Sequence, residues 1–124
     1  MTATRRSLGD LGERLAVDHL RSKGYRIREC NVRTRQGEID IVAEWGDILA
    51  FVEVKARRGN SRGTALESLT PTKQRRLVSL AEAYGQDRDD LPEQRRIDVI
   101  ALDLAPSGRL LSLRHIEGAI SADS

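Results

Sequence analysis

Two stretches of alternating character, residues 38–45 and 48–55, flank the pair Gly46-Asp47. Side chains of a strand alternate between the two faces of its sheet, and a two-residue turn joins neighbouring antiparallel strands. Trp45 then opposes Ile48, Asp40 opposes Glu53, and Glu38 opposes Lys55. In this register one face carries Ile39, Ile41, Ala43, Trp45, Ile48, Ala50, Val52 and Val54, all apolar. The other carries Glu38, Asp40, Val42, Glu44, Leu49, Phe51, Glu53 and Lys55. A slip of one residue scrambles the division, so the pattern supports the register. Val42, Leu49 and Phe51 on the mixed face imply that a helix covers part of it.

Around this hairpin the order reads helix, three strands, helix, two strands. Ser7 is a candidate N-cap with Asp10 three residues on. The first helix runs to about residue 22, with Leu8, Leu11, Leu15, His19 and Leu20 along one face, and Lys23-Gly24 closes it. Residues 25–32 read as a strand near an edge, residues 33–37 as a basic turn and residues 56–64 as a loop rich in Arg and Gly. Thr70-Pro71-Thr72 opens the second helix, where proline suits the first turn. Leu77, Leu80, Ala81 and Tyr84 form its apolar stripe and Gly85 ends it. Residues 86–94 read as an acidic loop, 96–104 as a strand, Pro106-Ser107-Gly108 as a turn and 109–116 as a strand. The expectation is one α/β domain over residues 1–124, a mixed central sheet flanked by helices, with flexible termini at 1–6 and 118–124.

Composition narrows the function classes. The net charge is only +2, but residues 1–63 hold 13 basic against 9 acidic side chains, while 64–124 hold 8 against 10. Eighteen of the 21 basic residues are Arg, the better partner for bidentate phosphate contacts. Codon usage in a GC-rich genome favours Arg equally well. The four aromatics, Tyr25, Trp45, Phe51 and Tyr84, fall on different elements, which disfavours a base-stacking RNA-recognition sheet. No apolar run approaches the ~20 residues of a membrane helix, and the N-terminal stretch lacks the apolar core of a secretory signal. The single cysteine, Cys30, excludes an internal disulfide framework and reads as a small half-buried side chain in a reducing, cytoplasmic setting. His19 and His115 read as packing or surface residues rather than ligands. Walker, nucleophile-elbow and dinucleotide patterns are absent from the sequence.

The hairpin carries the chemistry. Directly opposed carboxylates repel, and partial burial aggravates the repulsion. A divalent cation relieves it. Mg²⁺ takes oxygen ligands and keeps several waters beside one or two carboxylates, a half-shell that Asp40, Glu53 and the backbone carbonyl of Val54 are placed to offer. Lys55, on the same face, is placed to steady charge developing on a phosphate or to hold the attacking hydroxide. The alternative is a solvated sheet face with cross-strand ion pairs, in a chain that is 32% charged.

Gly37-Glu38-Ile39-Asp40 followed by Phe51-Val52-Glu53-Val54-Lys55-Ala56-Arg57 resembles the PD-(D/E)xK nuclease signature. More closely, the chain resembles the YraN-like family of uncharacterised bacterial proteins, itself regarded as distantly similar to Holliday-junction resolvases of the restriction-endonuclease-like fold. The resemblance includes Gly12-Glu13, Asn31-Val32-Arg33, the hairpin, Lys73 and Arg96-Ile97-Asp98-Val99; Ile39 stands where the signature has proline. It implies Asp40 and Glu53 as metal ligands, Lys55 as the catalytic lysine, Glu13 as an acid approaching the metal through water, and Mg²⁺ or Mn²⁺ as cofactor. The implied activity is endonucleolytic hydrolysis of DNA, branched or otherwise non-duplex forms included, by a metal-bound water that leaves a 5′-phosphate. A homodimer would cut two strands. A non-catalytic nucleic-acid-binding module and an RNA nuclease are the alternatives. From the residues alone, Glu38 is an ion-pair partner that orients Lys55 or a further ligand, and Asp98 is structural or supports the site from behind. Arg33, Arg35, Arg57, Arg58, Arg62, Lys73, Arg75 and Arg76 are the candidate phosphate contacts, the Arg57–Arg62 stretch reading equally as a solvated loop.

Overall fold

A computed structural model describes residues 5–59, 69–86 and 88–120. The elements are α1 (Arg5–Ser22), β1 (Arg26–Thr34), β2 (Gly37–Trp45), β3 (Ile48–Arg58), α2 (Pro71–Gln86), β4 (Gln94–Leu104) and β5 (Leu110–Ile120). They build one five-stranded sheet in the order β1-β2-β3-β4-β5. The β3–β4 pair is parallel and the others are antiparallel, so the sheet is mixed, with β1 at an edge as its alternation implied. Among the described residues no helix is long and apolar enough to cross a membrane.

α1 ends where its sequence says. Gly24 adopts φ 93°, and the N–H groups of Tyr25 and Gly24 donate to the carbonyls of Leu20 and Arg21, both at 3.0 Å, the bonding of a Schellman cap. Its start differs from expectation: the helix begins at Arg5, so Ser7 lies inside it rather than capping it. Arg is a strong helix former, so the turn propagates upstream past Ser7. The buried stripe is Gly12, Ala16 and Leu20, while Leu8, Leu11 and Leu15 are half-buried beside it. Small residues let the helix lie close to the sheet: a Cβ on Gly12 would stand 3.0 Å from the Ala56 Cβ.

The β2–β3 register is the expected one, from Ile41↔Val52 to Trp45↔Ile48. Both faces are covered. α1 packs with Tyr25 over Ile41, Ala43, Ala50, Val52, Ile100 and Leu102, and α2 packs over Val42, Leu49, Phe51 and Ile97. Ile39 departs from the expected division. It joins the α2 core instead of the Ile41 face, because the β2–β3 ladder ends at Ile41 and β2 turns there opposite Asn31, whose φ is 55°. Trp45 is 47% exposed and stacks on Tyr25.

Several strands run longer than their sequence pattern, each because a neighbour supplies pairing. β1 continues to Thr34 and leaves only Arg35-Gln36 as the turn, with the Gln36 N–H donating to Thr34 Oγ1 at 3.1 Å. β3 continues through Arg58 because β4 pairs with it along its whole length, from Ile48↔Gln94 to Arg58↔Leu104. Arg57 and Arg58 are therefore half-buried strand residues rather than a mobile loop. β5 runs on to Ile120, which is buried opposite Ile97, so residues 118–120 are not frayed. Cys30 is exposed.

Asp98 fixes β4 to β5. It is fully buried and accepts hydrogen bonds from Arg96 Nε at 2.8 Å and the Gly118 N–H at 2.9 Å, with His115 Nε2 at 2.8 Å. Burial pulls its pKa up, but these bonds outweigh burial and hold it below the ordinary value.

Two substitutions test the packing. Gly12→Leu should destabilise the chain by about 1–3 kcal/mol in urea denaturation through overpacking. Asp98→Ala, which strands Arg96 beside an empty site, should cost about 3–5 kcal/mol.

Candidate active site

The site is the fork where β2 and β3 part. Beyond Ile41↔Val52 the ladder bonds are replaced by side chains. The Val54 N–H donates to Asp40 Oδ2 at 2.8 Å. A residue's N–H and C=O point toward the same neighbouring strand, so the Val54 carbonyl is aimed into the same gap as Asp40. The expected Asp40–Glu53 pair lies one step beyond the last paired residues, Ile41 and Val52, and a side-chain hydrogen bond between the two carboxyls is among the causes that raise the Glu53 pKa.

Glu53 feels the fork most. Burial first, then the hydrogen bond and the charge of Asp40, push its pKa up to about 9, against a smaller pull downward from Lys55 and Lys73. A rise is the direction expected when two carboxyls share a desolvated site. Glu13 enters from α1, one residue past the close approach at Gly12. Its pKa is raised by burial, by Asp40 and by Glu38, and the Asn31 side chain offsets part of that with a hydrogen bond. Glu13 thus feels the charges of Asp40 and Glu38, and Glu53 those of Asp40, Lys55 and Lys73.

Among the described residues, no group of three or more His, Cys, Asp or Glu side chains is placed to hold a metal ion. The donor set nevertheless fits a hard divalent cation. Asp40, Glu53 and the Val54 carbonyl are all oxygen ligands around one gap, and Mg²⁺ commonly completes such a half-shell with water. Glu13 stands near enough to feel Asp40 and suits a ligand acting through water. A cation would compete with protons for the pair.

The sequence candidates divide into three groups. Asp40, Glu53, Val54, Lys55, Glu13 and Glu38 meet at the fork, and Lys73 joins them from the first turn of α2, where Thr70 Oγ1 accepts its N–H at 3.3 Å. Arg75 and Arg76 continue that exposed helix face, with Arg76 beside Gly37, and Arg33 and Arg35 occupy the β1–β2 turn region. Asp98 stands apart, bonded to Arg96, His115 and Gly118. Its part is to hold β4 and β5 rather than to support Asp40 or Glu53. Arg62 lies outside the described residues.

Sequence reasoning missed two positioning features. Asn31 occupies the left-handed region, which Asn tolerates better than most residues, and pairing across the bend directs its side chain to Glu13. Gly12 admits the helix to the sheet. An asparagine inside a strand pattern and a glycine on a helix's buried stripe were the available signals.

Residues 12–102 match the uncharacterised protein family UPF0102. The chain is similar to the UPF0102 protein of Symbiobacterium thermophilum, at 45% identity over 117 residues that cover 94% of this chain and 98% of the relative. It is also similar to those of Chloroflexus aurantiacus, at 44% identity with 99% and 100% covered, and Roseiflexus castenholzii, at 42% with 97% and 98% covered.

Glu53 gives a pH effect of definite sign. Between its ordinary 4.5 and about 9 the folded chain holds a proton that the unfolded chain releases. The stability from that proton is complete below the lower value and is lost as pH rises through the upper one. Glu53→Gln should therefore gain stability relative to wild type as pH rises from about 5 to about 9, read as the difference between urea midpoints. Added Mg²⁺ should raise the melting temperature of wild type more at the alkaline end.

Proposed function

The chain belongs to the uncharacterised protein family UPF0102, and we propose that it is a Mg²⁺- or Mn²⁺-dependent endonuclease of the restriction-endonuclease-like class acting on DNA. The observation that carries this reading is Asp40 taking the Val54 N–H where the β2–β3 ladder ends, with Glu53 close enough for Asp40 to raise its pKa and for Lys55 to lower it. Stability alone gives no reason to oppose two desolvated carboxylates. The resemblance of these residues to the PD-(D/E)xK signature and the order of the elements add support.

Asp40, Glu53 and the Val54 carbonyl would hold the cation, with Glu13 reaching it through water. When bound, it supplies Lewis-acid polarisation of the scissile phosphate. Lys55 places positive charge where the phosphate gains negative charge as water adds. Attack by that water and rupture of the P–O3′ bond leave a 5′-phosphate and a 3′-hydroxyl. Glu38 and Asn31 hold the surroundings: Glu38 adds to the field on Glu13, and Asn31 fixes where Glu13 points. Lys73, Arg75 and Arg76 along α2 would follow the phosphate backbone, and binding should weaken with salt accordingly.

The test is cleavage of labelled duplex, single-stranded, flap and four-way-junction DNA with Mg²⁺ or Mn²⁺. Lys55→Ala should lose about 100-fold or more in rate. Asp40→Asn should abolish cleavage while binding is kept or tightened, since negative charge beside phosphate is removed. Cleavage that persists in both Asp40→Asn and Glu53→Gln overturns the site. Binding without cleavage on every substrate points instead to a non-catalytic module, and preferential competition by RNA to an RNA nuclease.

A further inference from the structure

A cleft of about 390 Å³ lies between the β1–β2 turn and α2, on the sheet face away from α1. Its lining is apolar at Val32, Ile39 and Leu80 and cationic at Arg33 and Arg35, while Arg88, also in the lining, is paired with Glu29 at 3.4 Å. Small-ligand clefts run from about 300 to about 1,000 Å³, so the space is large enough for a nucleobase.

Arg88 is already arranged as a platform. Its guanidinium lies 3.7 Å from the centroid of the Tyr84 ring, and its Nη1 donates to the Tyr84 carbonyl at 3.2 Å. One flat side is occupied by the ring. A guanidinium plane stacks bases as an aromatic ring does. Arg33 and Arg35 make no ion pair among the described residues and are exposed, so they present uncompensated charge to phosphate at the mouth.

We propose that this cleft holds one unpaired base of a DNA strand, stacked on Arg88 with its phosphates on Arg33 and Arg35. The protein then prefers DNA with a single-stranded end or flap over blunt duplex. This rests on the nuclease reading only for the choice of DNA and for the purpose of the placement. Ile39 in the lining directly precedes Asp40, so a strand anchored there carries its backbone past the fork.

The experiment is fluorescence anisotropy in EDTA with three probes of one core sequence: blunt duplex, the duplex with a short single-stranded end, and the same end made abasic. The end should tighten binding by about 10-fold, and the abasic end should return it to within about 3-fold of blunt. Arg88→Ala should erase the base-dependent gain and leave the blunt probe unchanged. Arg88→Lys, which keeps the charge but not the plane, should behave like Arg88→Ala. Arg35→Ala should weaken the end-bearing and abasic probes alike. Equal binding of blunt and end-bearing probes, or full retention by the abasic end, overturns the proposal. Cleavage of the blunt duplex, single-stranded, flap and four-way-junction DNA measured in parallel with Mg²⁺ separates the two readings. Cleavage without end preference removes the cleft alone. End preference without cleavage removes the nuclease alone.

Discussion

The approach of Glu53 to Asp40 where the β2–β3 ladder ends is the constraint on which the arrangement at the fork turns. Two carboxyls facing one another from adjacent strands stay together only while something positive lies between them. The backbone is shaped to force the meeting. The β2–β3 ladder stops at Ile41↔Val52, the Val54 N–H abandons strand pairing for Asp40, and Asn31 takes a left-handed conformation on the far side of β2. α1 can bring Glu13 to the same place only because Gly12 and Ala16 keep it close to the sheet.

The same sheet treats two buried acids in opposite ways. Asp98 is surrounded by donors from Arg96, His115 and the Gly118 backbone, and its pKa is lowered although burial works against it. The pKa of Glu53 is raised by burial and by another acid beside it, Asp40. A compensated carboxylate is a fastening; an uncompensated one in a cleft is a candidate for chemistry. The contrast explains why the two residues, in neighbouring strands, belong to different parts of the molecule's economy of charge.

What the sequence made legible follows physical range. The hairpin register was readable because a period of two is local and a slip exposes the apolar set. α2 was readable because proline and threonine mark its start, and Gly24 marked the end of α1 for the same kind of reason. The turn of Ile39 away from the Ile41 face was hidden, because it arises from a bend imposed by a neighbouring strand and not from the alternation of β2 itself. The length of β3 was hidden too. Arg57 and Arg58 look like loop residues until β4 pairs alongside them. Asp98 carried an apolar neighbour on each side but no local sign of Arg96, His115 and Gly118 converging on it. At the site, the acids and the lysine were visible as residue types at a spacing, while Asn31 and Gly12 act through backbone shape.

The single parallel pairing has a kinetic consequence. β1, β2 and β3 are joined by two-residue turns, and β4 and β5 by another short connection, so both groups of strands close through contacts near in sequence. Only the β3–β4 pairing requires the chain to cross the sheet through α2, and distant pairings form slowly because loop closure must precede their reward. Asn31, Asp40, Glu53 and Lys55 all belong to the first group, and Glu13 to the helix that precedes it. The acids can therefore meet before the sheet is complete, while α2 and its Lys73 arrive with the crossover. During synthesis the repulsion at the fork is thus met early, when solvent still reaches it, and becomes costly only as the second half docks and α2 closes over Phe51.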